Sequence, residues 1–212
     1  MPERIPCPLL PTALHIMKII EVRRHTIAGH DGKVTEDGAT WARFACQTLA
    51  TPFARAFTSP KPRAYETAGI FGFPSPEVVE ELTTLSSEAF SCYHERIEWF
   101  ALQGLTLLES YFAIPEIMPL LVDHGQRLLA ALCLIARELT DGASALVVSH
   151  GGVIEPAALL ALDGEFELET MGGELNYCEG VRFGYVDGAI MLVETIRLPQ
   201  PQHMATGKPA TP

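Results

Sequence analysis

The chain of 212 residues is short of positive charge: 15 Lys and Arg stand against 26 Asp and Glu, a formal net charge of −11. This deficit argues against a general nucleic-acid binder and against adhesion to an anionic membrane through basic patches. It leaves small molecules or proteins as partners. Long hydrophobic runs are also missing. The longest, Leu128 to Ala136, is nine residues between Arg127 and Arg137, against roughly twenty needed to cross a bilayer, and it reads as part of a core helix. The first fifteen residues are broken by prolines and Glu3 where an export signal would need an unbroken apolar stretch, so the expected location is cytoplasmic. Five cysteines (Cys7, Cys46, Cys92, Cys133, Cys178) are odd in number, widely spaced and never in a C-x-x-C pair. That pattern fits reduced thiols and neither a disulfide framework nor a zinc site.

Several catalytic signatures are absent as well. No G-x-S-x-G marks a serine hydrolase, no G-x-x-x-x-G-K a nucleotide cradle, and no G-x-G-x-x-G a dinucleotide turn. A cysteine phosphatase needs an arginine six residues after its nucleophile, and none of the five cysteines has one. There is no convincing metal-ligand cluster, no internal repeat and no second core.

What is present is the composition of one globular domain: 48% hydrophobic and 19% charged residues can bury a sizeable core. Lys18 to Arg23 is rich in Ile and Val and ends before a Gly/Asp cluster, which reads as a buried strand. Thr35 to Gly38 supplies a helix start, and Trp41, Phe44, Ala45, Thr48 and Leu49 recur at helical spacing. Ala54 to Thr58 reads as a second strand and Lys61 to Phe71 as a second helix, with proline in its first turn. Between Pro74 and Pro119 a short strand at Val78-Val79 and two helical stretches, 87–102 and 106–112, read as an insertion. Ile117 to Leu139 is a long amphipathic helix, Ala143 to Val148 a core strand, and Gly151-Gly152 turns it into a helix through Leu162. Val181 to Val186 and Ala189 to Thr195, joined by Asp187-Gly188, form a tight hairpin. The alternation predicts an α/β fold, a three-layer α/β/α sandwich with a mostly parallel central sheet. It comprises one domain over 16–198, with a lid or insertion at about 77–116, an N-terminal extension at 1–15 and a flexible tail at 199–212.

In such a fold the ligand site lies beyond the carboxyl ends of the strands. Arg24-His25 follows the first strand directly, and Ser149-His150-Gly151-Gly152 follows the later one. Arg63 stands in the first turn of the second helix. Two guanidinium forks and two histidines at one mouth describe a phosphate pocket: the forks match phosphate oxygens in bidentate fashion, and histidine can act as nucleophile, acid or donor near neutral pH. Backbone N–H groups after the Gly turn, Gly151 among them, add donors. His30 and His124 read as structural or solvated. His94, Glu95, Trp99 and Phe100 are read either as a lid or as packing of the insertion.

At these positions the sequence resembles the histidine phosphatase superfamily, the phosphoglycerate mutase-like group, over about residues 17–196. The carrying motifs are Arg24-His25-Thr26, Val34 to Gly38, the run Ser59-Pro60-Lys61-Pro62-Arg63-Ala64-Tyr65-Glu66-Thr67-Ala68, and Val148-Ser149-His150-Gly151-Gly152, in the order that the family has them. The resemblance implies a phosphoglycerate mutase-like fold and a two-step phosphoryl transfer without metal or cofactor. His25 would form a phosphohistidine while Arg24, Arg63 and His150 bind the non-bridging oxygens, with Gly151 beside them.

Three positions depart from the family pattern. Thr26 stands for a Gly and could crowd the turn beside the nucleophile; Ala28 stands where many members place a phosphate-touching hydroxyl. Counting from Leu82, the family's proton-donating glutamate falls on Thr84. Glu88, and next to it Glu81, are the candidates to replace that acid. The expected function is therefore a phosphatase acting on a phosphomonoester, either a small molecule or a phosphorylated protein side chain. The alternative is a catalytically impaired relative that binds phosphate as a binding or regulatory module. A phosphoglycerate mutase would need further basic groups for its substrate's carboxylate, of which the chain shows no clear supply. A dimer is compatible with the sequence, and neither nucleic acid nor membrane is expected as a partner. The acidity is concentrated: from Glu77 to Glu116 there are eight glutamates, no aspartate and one arginine, a local charge of −7. At the rim of a cationic pocket, that charge would disfavour multiply phosphorylated substrates.

Overall fold

A computed structural model describes residues 17–50, 52–84, 87–162 and 166–199. The expected N-terminal extension and, beyond Pro199, the expected tail lie outside the described residues. Six strands form one sheet: β1 (Lys18–Arg24), β2 (Arg55–Thr58), β3 (Glu77–Val78), β4 (Ser144–Ser149), β5 (Gly180–Val186) and β6 (Ala189–Ile196). Their order is β3-β2-β4-β1-β5-β6. The pairs β2/β3, β2/β4 and β1/β4 are parallel, whereas β5 runs antiparallel to both β1 and β6. The sheet is thus mostly parallel, closed on one side by the hairpin read from Asp187-Gly188. Both turn residues have positive φ, 53° and 88°, as a tight hairpin turn with right-handed twist requires.

The helices are α1 (Glu36–Ala45), α2 (Pro62–Ile70), α3 (His94–Leu102), α4 (Leu107–Phe112), α5 (Met118–Glu138) and α6 (Ile154–Ala161). Thr35 caps α1 by accepting from the Gly38 N–H, and Thr106 and Glu109 form a reciprocal capping box on α4. Trp41, Ala42 and Ala45 of α1 and Ala64 and Ala68 of α2 pack with Ala56, Leu146 and Val148 on one face of the sheet. Leu128, Leu132 and Ile135 of α5 and Ile154, Ala157 and Ala158 of α6 pack with Ile20, Val22 and Val147 on the other. This gives the three layers. A third, smaller cluster joins Phe90 and Ile114 to Ile117 and Leu121 at the start of α5.

Two features correct the sequence reading. Helix α5 has 21 residues, and an 18-residue stretch of it reaches a mean hydropathy of 1.3, so by length and composition it is apolar enough to cross a membrane. Counting only uninterrupted apolar residues missed this, because Asp123 and Arg127 break the run without lowering the average far. In the fold its stripe Leu121, Gly125, Leu128, Leu132 and Ile135 is buried. Secondly, β1 is not simply hydrophobic. Ile20 and Val22 enter the α5–α6 core, while Glu21 and Arg23 point to the other face and are both fully buried. Arg23 Nε donates to Glu21 at 2.7 Å, and its other nitrogens donate to the carbonyls of Cys178 and Thr48. Glu21 also accepts from Arg182 Nε at 2.9 Å and from the Ala50 N–H.

Removing one partner of a buried ion pair leaves the other charge uncompensated, which is the costly case. Glu21→Ala should therefore lower the unfolding free energy by about 3–5 kcal/mol, measured by urea denaturation. Replacing Glu21 and Arg23 together by apolar residues of similar volume should cost much less. A loss below about 1 kcal/mol for Glu21→Ala would show that the pair does not hold β1 in place.

Candidate active site

Parallel pairing of β1 with β4 sets Arg24 opposite Ser149, so the residues that follow, His25 and His150, leave the sheet side by side. Their ring centroids are 5.0 Å apart at 62°, and the His25 N–H donates to the Ser149 carbonyl at 2.9 Å. From this edge the chain after β1 runs to α1 on one face, and the chain after β4 runs to α6 on the other. That divergence opens a crevice at the strand ends, the position where α/β sheets bind ligands.

His25 is fixed at both ring nitrogens. Nδ1 lies 2.6 Å from the Thr26 carbonyl, and Nε2 lies 2.9 Å from Nε of Arg63. A carbonyl can only accept and a guanidinium N–H can only donate. The imidazole is therefore the Nδ1–H tautomer, with the Nε2 lone pair turned into the crevice toward Arg63. The first turn of α2 supplies Arg63, and Thr67 one turn later accepts from the Thr26 N–H at 3.1 Å while donating to the Arg63 carbonyl at 2.6 Å. Thr26 does not crowd the turn. Its buried hydroxyl donates to the Gly38 carbonyl at 2.7 Å, tying the loop after β1 to the start of α1. Ala28 forms an isolated bridge with Val34 and places no hydroxyl here.

His150 is almost fully buried, and its Nε2 is 2.7 Å from the Ser59 hydroxyl. Its Nδ1 is buried with no hydrogen-bonding partner, as is Nε of Arg24. Arg24 Nη1 donates to the Glu174 carboxylate at 3.1 Å and to the Leu175 carbonyl, and its guanidinium lies 4.9 Å from the centre of the Tyr177 ring. Tyr177 also lies 6.0 Å from the His25 ring. A Cβ at Gly151 would fall 2.9 Å from Cζ of Arg24 and would push the guanidinium aside. Leu108 of α4 approaches Gly152 and the Ser149 hydroxyl donates to the Leu82 carbonyl at 2.8 Å, so the segment between β3 and α5 borders the crevice.

Burial and the neighbouring cations oppose protonation of both histidines. Desolvation first, then Arg63 and Arg24, push His25 down to about 3, against the hydrogen bond from Nδ1 to Thr26. Desolvation, His25, Arg63, Lys61 and Arg24 push His150 down to about 2. Near neutral pH the crevice therefore holds neutral imidazoles beside guanidinium groups, with two buried nitrogens lacking partners. An anion of phosphate type, with oxygens in several directions, satisfies this donor set.

The structure thus brings together Arg24, His25, Arg63, His150 and Gly151. It does not bring Glu81 to them: Glu81 is exposed in a separate groove with Arg55, Glu77, Arg127 and Glu138. The 3₁₀ turn Glu80–Leu82 turns it away from the strand ends. Glu88 lies in the 3₁₀ segment Ser87–Tyr93, and its side chain falls outside the described residues. Among the other insertion residues, Trp99 is exposed, α3 buries no residue and His94 pairs with Glu98 at 3.0 Å. Of the eight glutamates, Glu77 pairs with Arg55 and Glu116 with Arg96, and Glu109 accepts in the cap of α4. Sequence reasoning missed Tyr177, Glu174 and Glu155, which lie outside the motifs. Ser59 and Thr67 were within reach, since both stand inside the quoted run, Thr67 one helical turn after Arg63. No group of three or more His, Cys, Asp or Glu able to hold a metal occurs among the described residues.

The family model described as histidine phosphatase superfamily (branch 1) matches residues 21–194. The chain belongs to that superfamily. A search of curated proteins gives no match. Among solved structures, the chain is similar to a phosphoglycerate mutase from Bacillus anthracis str. Sterne (TM-score 0.60, 18% identity, 85% of this chain and 93% of that one). It is similar to a phosphoserine phosphatase from Entamoeba histolytica, solved with 3-phosphoglyceric acid (TM-score 0.61, 18% identity, 88% and 99%). A mycobacterial glucosyl-3-phosphoglycerate phosphatase gives a TM-score of 0.55 at 16% identity over 85% and 97%. At these identities the likeness shows the fold, which is the phosphoglycerate mutase-like α/β fold.

The depressed histidines have a consequence for stability. Each binds its proton in the unfolded chain from about pH 6.5 downward but in the folded one only near pH 3 or 2, so stability falls as pH drops through that window. Each should contribute a loss of about 2 kcal/mol between pH 7 and pH 5. His25→Asn and His150→Asn should each reduce the pH dependence of urea unfolding by that amount. Imidazole NMR signals of either residue titrating near pH 6.5 would contradict this.

Proposed function

We propose that the protein is a phosphomonoesterase working through a phosphohistidine on His25. The observation that carries this reading is the fixed Nδ1–H tautomer of His25, with its Nε2 lone pair facing Arg63 in a crevice that also holds Arg24 and His150. A nucleophilic nitrogen must present a lone pair, and a phosphate in transfer needs cations and donors around its equatorial oxygens. Both needs are met by the same four side chains.

In the proposed reaction the phosphate displaces the Arg63 Nε–H from His25, and Arg63 and Arg24 take non-bridging oxygens, with His150 donating after uptake of a proton or through its tautomer. Nε2 attacks phosphorus in line; the N–P bond forms as the P–O bond to the leaving group breaks, and that oxygen takes a proton from an acid. Water then attacks phosphorus, the N–P bond breaks, and the water's proton returns to the same group. With Glu81 in a different groove and Thr84 unable to donate at this pH, Glu88 is our candidate acid. The substrate class is a phosphorylated small molecule or a phosphorylated protein side chain. The reading as a non-catalytic phosphate-binding module rests on Thr84 at the position of the family's acid.

Hydrolysis of 4-nitrophenyl phosphate and of an alkyl phosphate separates these readings. Wild type should turn over both; His25→Ala should abolish both, and Arg63→Ala should lower kcat/KM by at least about a hundredfold. Glu88→Gln should slow the alkyl ester, whose leaving oxygen needs a proton, far more than the aryl ester. Phosphate binding without turnover of either ester from pH 5 to 8 would favour the binding module.

A further inference from the structure

One fully buried acid, Glu155 in the first turn of α6, has no part in this mechanism. Its Oε2 accepts from the Gly152 N–H at 2.7 Å and its Oε1 from the Leu175 N–H at 3.1 Å. The first contact could be a helix cap. The second reaches 20 residues along the chain, which capping does not require. Burial pushes the Glu155 carboxyl up, while Arg24 and the backbone N–H groups oppose that shift.

We propose that Glu155 is a positioning residue for Arg24: its carboxylate locks together the two loops that clamp the guanidinium in the phosphate site. The proposal rests on the phosphatase reading for its catalytic consequence. One wall of the clamp is the loop after β4, where a Cβ at Gly151 would push the Arg24 guanidinium aside and the adjacent Gly152 is held by Glu155. The other wall is Glu174-Leu175, whose carboxylate and carbonyl accept from Arg24 Nη1 and whose Leu175 N–H is held by the same Glu155. Tyr177, two residues on, stacks on the guanidinium. A single side chain thus sets the spacing of both walls, and Arg24 has its geometry only while they stay in register. An amide at 155 keeps the volume but can accept from only one of the two N–H groups with its oxygen, because its NH₂ is itself a donor. One wall is released.

The test compares wild type, Glu155→Gln and Leu159→Ala, the last a buried residue of α6 serving as a control for plain loss of stability. The first readout is the rate at which phenylglyoxal modifies Arg24, followed by peptide mapping with exposed Arg96 as the internal reference. The second is the dissociation constant for inorganic phosphate, with KM and kcat on 4-nitrophenyl phosphate. In Glu155→Gln, Arg24 should react at least about fivefold faster, and phosphate Kd and KM should rise about tenfold with kcat within about threefold. Leu159→Ala should leave the Arg24 rate and phosphate Kd unchanged while lowering the melting temperature. Equal Arg24 reactivity in wild type and Glu155→Gln, or the same acceleration in Leu159→Ala, overturns the proposal. A wild type that neither binds phosphate nor turns over overturns the phosphatase reading alone, because the phenylglyoxal comparison still decides the clamp. Should the amide variant not fold, Glu155→Asp, which keeps the charge and loses the reach, carries both readouts with the same expected directions.

Discussion

An imidazole held at both nitrogens governs the chemistry of this crevice. The Thr26 carbonyl accepts from the Nδ1–H of His25 and the Arg63 Nε–H faces Nε2, so two contacts fix tautomer and ring orientation, while burial and then Arg63 and Arg24 keep the ring neutral against the Thr26 contact. Their geometry depends on the fold at short range: the carbonyl belongs to the residue after His25, and Arg63 comes from the first turn of α2, anchored through Thr67 to the Thr26 N–H. In the proposed reaction the phosphate takes the place of the Arg63 N–H, which would couple ligand binding to exposure of the lone pair and pass the same guanidinium from nitrogen to phosphate oxygen.

Charge is laid out in layers around that point. Arg23, next in the chain to Arg24 of the crevice, is turned to the opposite face and neutralised by Glu21, deep under the sheet edge. Arg24 is held from behind by Glu174 and Leu175 and flanked by Tyr177. Adjacent arginines on a strand thus have unrelated roles because side chains alternate between faces. With the carboxylates behind and the two imidazoles neutral, the open side of the crevice is cationic although the whole chain is strongly acidic. The shortage of lysine and arginine bears on nucleic acids; it says little about a pocket built from two guanidinium groups.

The sheet and its site edge were legible in the sequence because their signals are local and strong. Val/Ile-rich runs ending in Arg24-His25 and in Ser149-His150 place both histidines at strand ends, and Pro62 with Arg63 marks the opening of α2. The buried state of Glu21 and Arg23 was not legible, since their compensation comes from Thr48, Cys178 and Arg182, distant in sequence. Glu155 stands in the first turn of α6, where an acid needs no special explanation, and Tyr177 and Glu174 stand in a loop without regular pattern. Glu81 was the reverse case: near in sequence to the strand end, it is carried by a 3₁₀ turn into the groove beside Arg55 and α5. The hydroxyl at Thr26, a departure from the family pattern, proved to have its own acceptor in Gly38.

The central claim is that Nε2 of His25 takes the phosphoryl group. Its most direct test is rapid quenching into base after mixing the protein with a labelled phosphomonoester, followed by peptide mapping under conditions that preserve phosphoramidates. The account predicts one acid-labile, base-stable label on the peptide containing His25, formed within a single turnover and absent in His25→Ala. Turnover with no label on His25 at any quench time, or label on a different residue, would contradict it.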